Sequence, residues 1–137
     1  MNALKGLGDE ENMKILVVDG YNVINKIGDL SEIADENLKD ARDAVTKMSN
    51  EYKNRDGGIS EVYVVFDGQN QYRDLDIPHP KEHIFSDTGE GDRKIIETIK
   101  RASVKGTVIV VSDDNQVRNN ARAYSATLMR PIDLIEK

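Results

Sequence analysis

The chain has no cysteine and no tryptophan, and carries only 3 prolines and 2 histidines. Without cysteine there is no disulfide framework, no thiolate zinc site and no cysteine nucleophile. His79 and His83 are too few for a histidine-rich metal centre. Long apolar runs are also missing: the longest, such as Val108–Val111, fall far short of a bilayer span. Met1–Met13 is acidic and contains glycine, with none of the apolar character of a signal region. No glycine-rich loop ends in Gly-Lys-Ser/Thr, which excludes a Walker-type nucleotide site. These absences predict a soluble, intracellular (cytoplasmic) protein without a membrane partner.

With 137 residues, 38% of them hydrophobic, the chain can build one compact core. Residues 1–12 lack periodicity and are expected to form a flexible tail, leaving 13–137 as a single domain. The net charge is −6, from 19 basic and 25 acidic residues. That balance disfavours a general nucleic-acid coat protein. It is compatible with a metal-dependent nuclease, which must concentrate carboxylates at its site.

Three segments share one pattern, a short β-branched apolar run closed by an acid: Lys14–Asp19, Glu61–Asp67 and Thr107–Asp113. Runs this short and unalternating suit strands buried on both faces of a parallel sheet. A further short strand is expected over Glu82–Ser86. Helical stripes lie between them. Leu38, Ala41, Val45, Met48 and Tyr52 form the first, stopped by Asp56-Gly57-Gly58. Ile95, Ile96, Ile99 and Ala102 form the second, ending near Gly106. Val117, Ala121, Tyr124 and Leu128 predict a third, running on to just before Pro131. The alternation predicts an α/β domain of three layers, with a mostly parallel central sheet flanked by helices.

In open parallel sheets, ligands bind outside the carboxyl ends of the strands. Asp19, Asp67 and Asp113, with Asp114 next to it, stand at three such ends. Asp92 precedes the Ile95 stripe and is expected at a helix N-terminus on the same edge, with Glu90 close by. Taken singly, each acid can be a turn residue or a helix cap. Together they are costly: two carboxylates about 4 Å apart repel by roughly 4 kcal/mol at an effective dielectric of 20. A divalent cation turns that repulsion into attraction, and an all-oxygen set suits Mg²⁺ or Mn²⁺.

The same residues carry a family resemblance. Val18-Asp19-Gly20-Tyr21-Asn22-Val23-Ile24 resembles the opening motif of YacP-like NYN domains, ribonuclease-type members of the PIN-like superfamily. Val65-Phe66-Asp67-Gly68 resembles that family's second acidic strand end, and Gly89-Glu90-Gly91-Asp92 its Gly-Glu-x-x-Asp segment, here one residue shorter. Val111-Ser112-Asp113-Asp114-Asn115-Gln116-Val117-Arg118 is similar to its last strand end and the helix that follows. Alignment with the family favours Asp114 as the last acid, whereas the strand-end argument favours Asp113, so both are carried.

The resemblance implies metal-dependent hydrolysis of RNA phosphodiester bonds, with endonuclease action expected. It implies that Asp19, Asp92 and Asp113 or Asp114 hold Mg²⁺ or Mn²⁺, while Asp67 is a ligand or orients bound water. Single-stranded RNA is the implied partner, with ribosome-associated mRNA within the family's range. Asn22, Arg73, Arg93, Lys94 and Arg118 are candidates for contact with phosphates, weighed against ordinary roles on solvated faces. Tyr21 and Tyr72 can stack on bases or pack. Residues 69–83, with Pro78, Pro80 and Lys81, read as a long functional loop. Two other readings compete: a non-catalytic RNA- or partner-binding domain of the same fold, and a receiver-like domain phosphorylated on Asp67.

Overall fold

A computed structural model describes residues 13–56, 58–66, 83–85 and 93–135. The elements run β1 (Lys14–Asp19), α1 (Gly20–Lys26), α2 (Gly28–Glu36), α3 (Leu38–Asp56), β2 (Ile59–Phe66), β3 (His83–Phe85), α4 (Arg93–Lys105), β4 (Thr107–Val111), α5 (Asn115–Ala123) and β5 (Thr127–Met129). A 3₁₀ turn over Pro131–Leu134 follows. The five strands form one sheet in the order β3-β2-β1-β4-β5, and every neighbouring pair is parallel. The α/β class and parallel sheet read from the sequence are therefore present. A receiver-type sheet has the order 2-1-3-4-5. The observed order removes that alternative.

The unalternating runs of β1 follow from its central place. Ile15, Leu16, Val17 and Val18 are all fully buried, and successive residues face opposite layers. Leu16 and Val18 join Val62, Val64 and Phe66 under α1, α2 and α3, against Val23, Ile24, Leu30, Ala41 and Val45. Ile15 and Val17 join Val65, Val108 and Val110 under α4 and α5, against Ile95, Ile99, Val117 and Ala121. Each side chain of this size buried in full contributes roughly 1.5–3 kcal/mol.

Two helices, α1 and α2, were not expected from periodicity. Each is short, and they abut at Ile27, which ends one and caps the next. Their stability comes from packing Ile24, Ile27 and Leu30 onto the sheet, because helices this short are marginal alone. Asn37 then caps α3, its Oδ1 accepting the Asp40 amide at 3.1 Å.

The third helix is shorter than its apolar spacing predicts. α5 stops at Ala123, and Leu128 lies in β5. The cause is a backbone reversal at Ser125, with φ 63°. The Ala126 amide donates to the Ala121 carbonyl at 2.9 Å and the Ser125 amide to that of Arg122 at 2.9 Å. This is the Schellman pattern, which normally takes glycine at the left-handed position. Ser125→Gly is therefore expected to stabilise the fold by about 0.5–1 kcal/mol, seen as a rise of a few degrees in thermal midpoint.

Candidate active site

Chain order reverses between β1 and β4: the chain first builds outward through β2 and β3, then crosses to the other side of β1. The crevice outside the carboxyl ends of two such strands is where open α/β sheets place ligands. Asp19 ends one of these strands, and Ser112-Asp113-Asp114 follows the other.

Asp19 is only 7% exposed and precedes α1 as its N-cap residue, yet its side chain makes no capping hydrogen bond. Instead Oδ2 accepts the Ser112 hydroxyl at 2.8 Å. Ser112 is fully buried, and its Oγ also accepts the Asp114 amide at 3.0 Å. One serine thus joins the two strand ends. A second link runs from Asn22 in α1, whose Oδ1 accepts the Asp113 amide at 2.9 Å. Asn22 therefore braces the loop after β4.

The adjacent aspartates have different surroundings. Asp114 caps α5: its Oδ1 accepts the amides of Gln116 at 2.9 Å and Val117 at 3.1 Å. The Asp113 side chain is 22% exposed and lies 3.5 Å from Nε of Arg130, which follows β5. Arg118 donates to the Ser112 carbonyl at 3.0 Å, so its guanidinium holds the loop backbone. Lys94 sits on the first turn of α4, 3.7 Å from Glu97. Tyr21 takes the packing role: it is 7% exposed, its ring lies 5.1 Å from that of Phe66, and its hydroxyl accepts from Arg42 at 3.1 Å.

Asp67, Glu90 and Asp92 lie outside the described residues, as do Arg73, Tyr72, His79 and Lys81, and the Arg93 side chain. Among the described residues no group of three or more acids or histidines is close enough to hold a metal ion. Asp19, Asp113 and Asp114 carry oxygen donors of the type Mg²⁺ and Mn²⁺ prefer, but these three carboxylates by themselves do not converge into a metal-holding group.

Ser112 and Arg130 join the site only in the folded chain. Ser112 had a usable signal, a small polar residue at the end of a buried apolar strand and one position before the acids. Arg130 had none, since it reaches Asp113 only because β5 pairs with β4. The assignments at this loop separate by measurement. Asp114→Ala is expected to cost about 1 kcal/mol of stability through loss of the cap. Asp113→Ala is expected to leave the melting midpoint nearly unchanged, because its Arg130 partner is an exposed ion pair.

The YacP-like NYN domain family matches over residues 16–137. The crystal structure of a variant of Rae1 (YacP) from Bacillus subtilis superposes with a TM-score of 0.69 at 26% identity, covering 90% of this chain and 73% of that one. No curated protein matches the sequence.

Proposed function

Because the chain belongs to the YacP-like NYN domain family, a nuclease-type branch of the PIN-like superfamily, we propose that it is a metal-dependent ribonuclease that hydrolyses single-stranded RNA. The observation that carries this reading is the turning of the Asp19 carboxylate away from its own helix and toward the β4 loop, at the switch point of the sheet. An acid that served only as a cap would bond the amides of α1, as Asp114 bonds those of α5.

In this reading Asp19 and Asp113 or Asp114 hold Mg²⁺ or Mn²⁺ at the rim, with Asp67 and Asp92 completing the set. When bound, the ion acidifies water and stabilises charge on the phosphoryl and leaving oxygens. Ser112 holds the Asp19 carboxylate by donating to Oδ2. Asn22 fixes the Asp113 backbone, and Arg118 fixes the Ser112 carbonyl, so the donors are oriented before substrate arrives. No side-chain nucleophile is required, in keeping with a chain that has no cysteine.

The test is cleavage of end-labelled single-stranded RNA with Mn²⁺ or Mg²⁺, and with chelator. Internal cuts that appear only with the metal support the reading. Tight RNA binding without cleavage under either metal would favour the non-catalytic alternative instead.

A further inference from the structure

A second feature lies on the α4 side of the sheet. An open groove of about 320 Å³ runs between β2 and α4, lined by Tyr63, Lys94, Glu97, Thr98, Arg101 and Lys105. That volume lies at the low end of the ~300–1,000 Å³ typical of ligand clefts. The three cations stand at positions i, i+7 and i+11 of one helix, which brings them into a single row. The row spans roughly 16 Å at 1.5 Å per residue. α4 precedes β4 and returns across the sheet, so its first turn lies at the carboxyl rim with the candidate active site and its last turn at the opposite rim.

The charges within the row differ in their engagement. Lys94 pairs with Glu97 at 3.7 Å, and Lys105 with Glu61 at 3.0 Å. The Tyr63 hydroxyl and the Lys105 ammonium, both donating to Glu61, hold its carboxyl below the usual carboxylate range. Lys105 also lies 5.8 Å from the centre of the Tyr63 ring. These contacts hold Lys105 at the lower end of the groove. Arg101, between the two pairs, is exposed and has no carboxylate within 4.0 Å among the described residues. Exposed ion pairs are worth about 0–1 kcal/mol, so exchanging a carboxylate for a phosphate is inexpensive. A chain of net charge −6 repels RNA on balance, so a strand is held where cations are locally in a row.

We propose that this groove carries the RNA strand away from the scission site, with Arg101 and Lys105 binding backbone phosphates and Tyr63 forming the floor against which a base or sugar packs. The proposal rests on the ribonuclease reading and extends it to the substrate path. A row of cations continuous with the rim fits a polyanion that must also reach the rim. An isolated acidic peptide has no such requirement.

The test is fluorescence anisotropy of labelled single-stranded RNA in chelator, across a salt series. It compares the intact protein, the double variant Arg101→Ala/Lys105→Ala and the charge-retaining variant Arg101→Lys/Lys105→Arg. The double alanine variant is expected to bind about tenfold more weakly at low salt, and to flatten the log–log salt slope by roughly 1.4, at about 0.7 per phosphate contact. The charge-retaining variant is expected to restore most of both, which a merely structural loss would not allow. Intact protein that binds and cuts RNA, beside a double alanine variant with unchanged affinity and slope, overturns the groove and leaves the ribonuclease reading standing. Intact protein that neither binds nor cuts RNA overturns both. Binding of polyglutamate in place of RNA, with the same dependence on Arg101 and Lys105, makes the groove a peptide site and overturns the proposal.

Discussion

Asp19→Asn is expected to lower metal-dependent RNA cleavage by at least about 100- to 1000-fold, the scale of losing one preorganised electrostatic group at a reaction centre. The substitution keeps the shape of the side chain. An asparagine oxygen can still accept the Ser112 hydroxyl, so the link between β1 and β4 survives. What disappears is a negative charge at a site only 7% exposed, the charge that the proposed reading assigns to attracting a divalent cation. The folded protein should be no less stable without metal, because a buried negative charge has been replaced by a neutral group of the same shape. Two measurements check this together. Thermal midpoints of the intact protein should rise with added Mn²⁺, and those of the variant should not, as expected when a ligand binds only the folded state. Equal cleavage by the two proteins would remove Asp19 from the site.

Gly20→Ala is expected to destabilise the fold by about 2 kcal/mol and to lower activity with it. Local propensity points the other way. Position 20 opens α1, and alanine is the better helix former by about 1 kcal/mol. Packing decides the sign. A Cβ at this position would overlap the Phe66 ring, and would stand 3.0 Å from the Val65 carbonyl oxygen. The ring has little room to yield: Phe66 is 1% exposed, with Tyr21 packed on it and the Arg42 guanidinium 5.9 Å from its centre. The carbonyl belongs to the residue paired with Asp19 in the sheet register. Relief of the overlap therefore moves the strand end that holds the acid. Chemical denaturation would show a lower midpoint at unchanged slope, and a slope change would instead indicate an altered unfolded or native ensemble. Retention of full stability would mean that α1 can shift away from β2 at no cost.

Periodicity made some elements legible and left others hidden. β1, β2 and β4 were readable because strands buried on both faces need continuous β-branched runs. α3 and α4 were readable because each is long enough to repeat its stripe. α1 and α2 fill the space between Asp19 and Leu38 with two short helices, each with too few turns for a period to emerge. Leu128 fitted the helical spacing by coincidence, since a left-handed serine gives no signal as clear as glycine would.

From the sequence alone came the class of fold, the parallel strands, the family resemblance and the acids at strand ends. Those features follow from local composition and order, which any stretch of chain carries by itself. Three matters waited on the tertiary structure. The order of the strands places the reversal between β1 and β4, and so picks out one crevice. Hydrogen bonding separates two adjacent aspartates, making Asp114 a helix cap and setting Asp113 against Arg130. Ser112 became the link between Asp19 and the β4 loop only when residues 93 positions apart were brought within 2.8 Å. Each depends on which segments lie side by side, and that is set by burying two faces of one sheet at once.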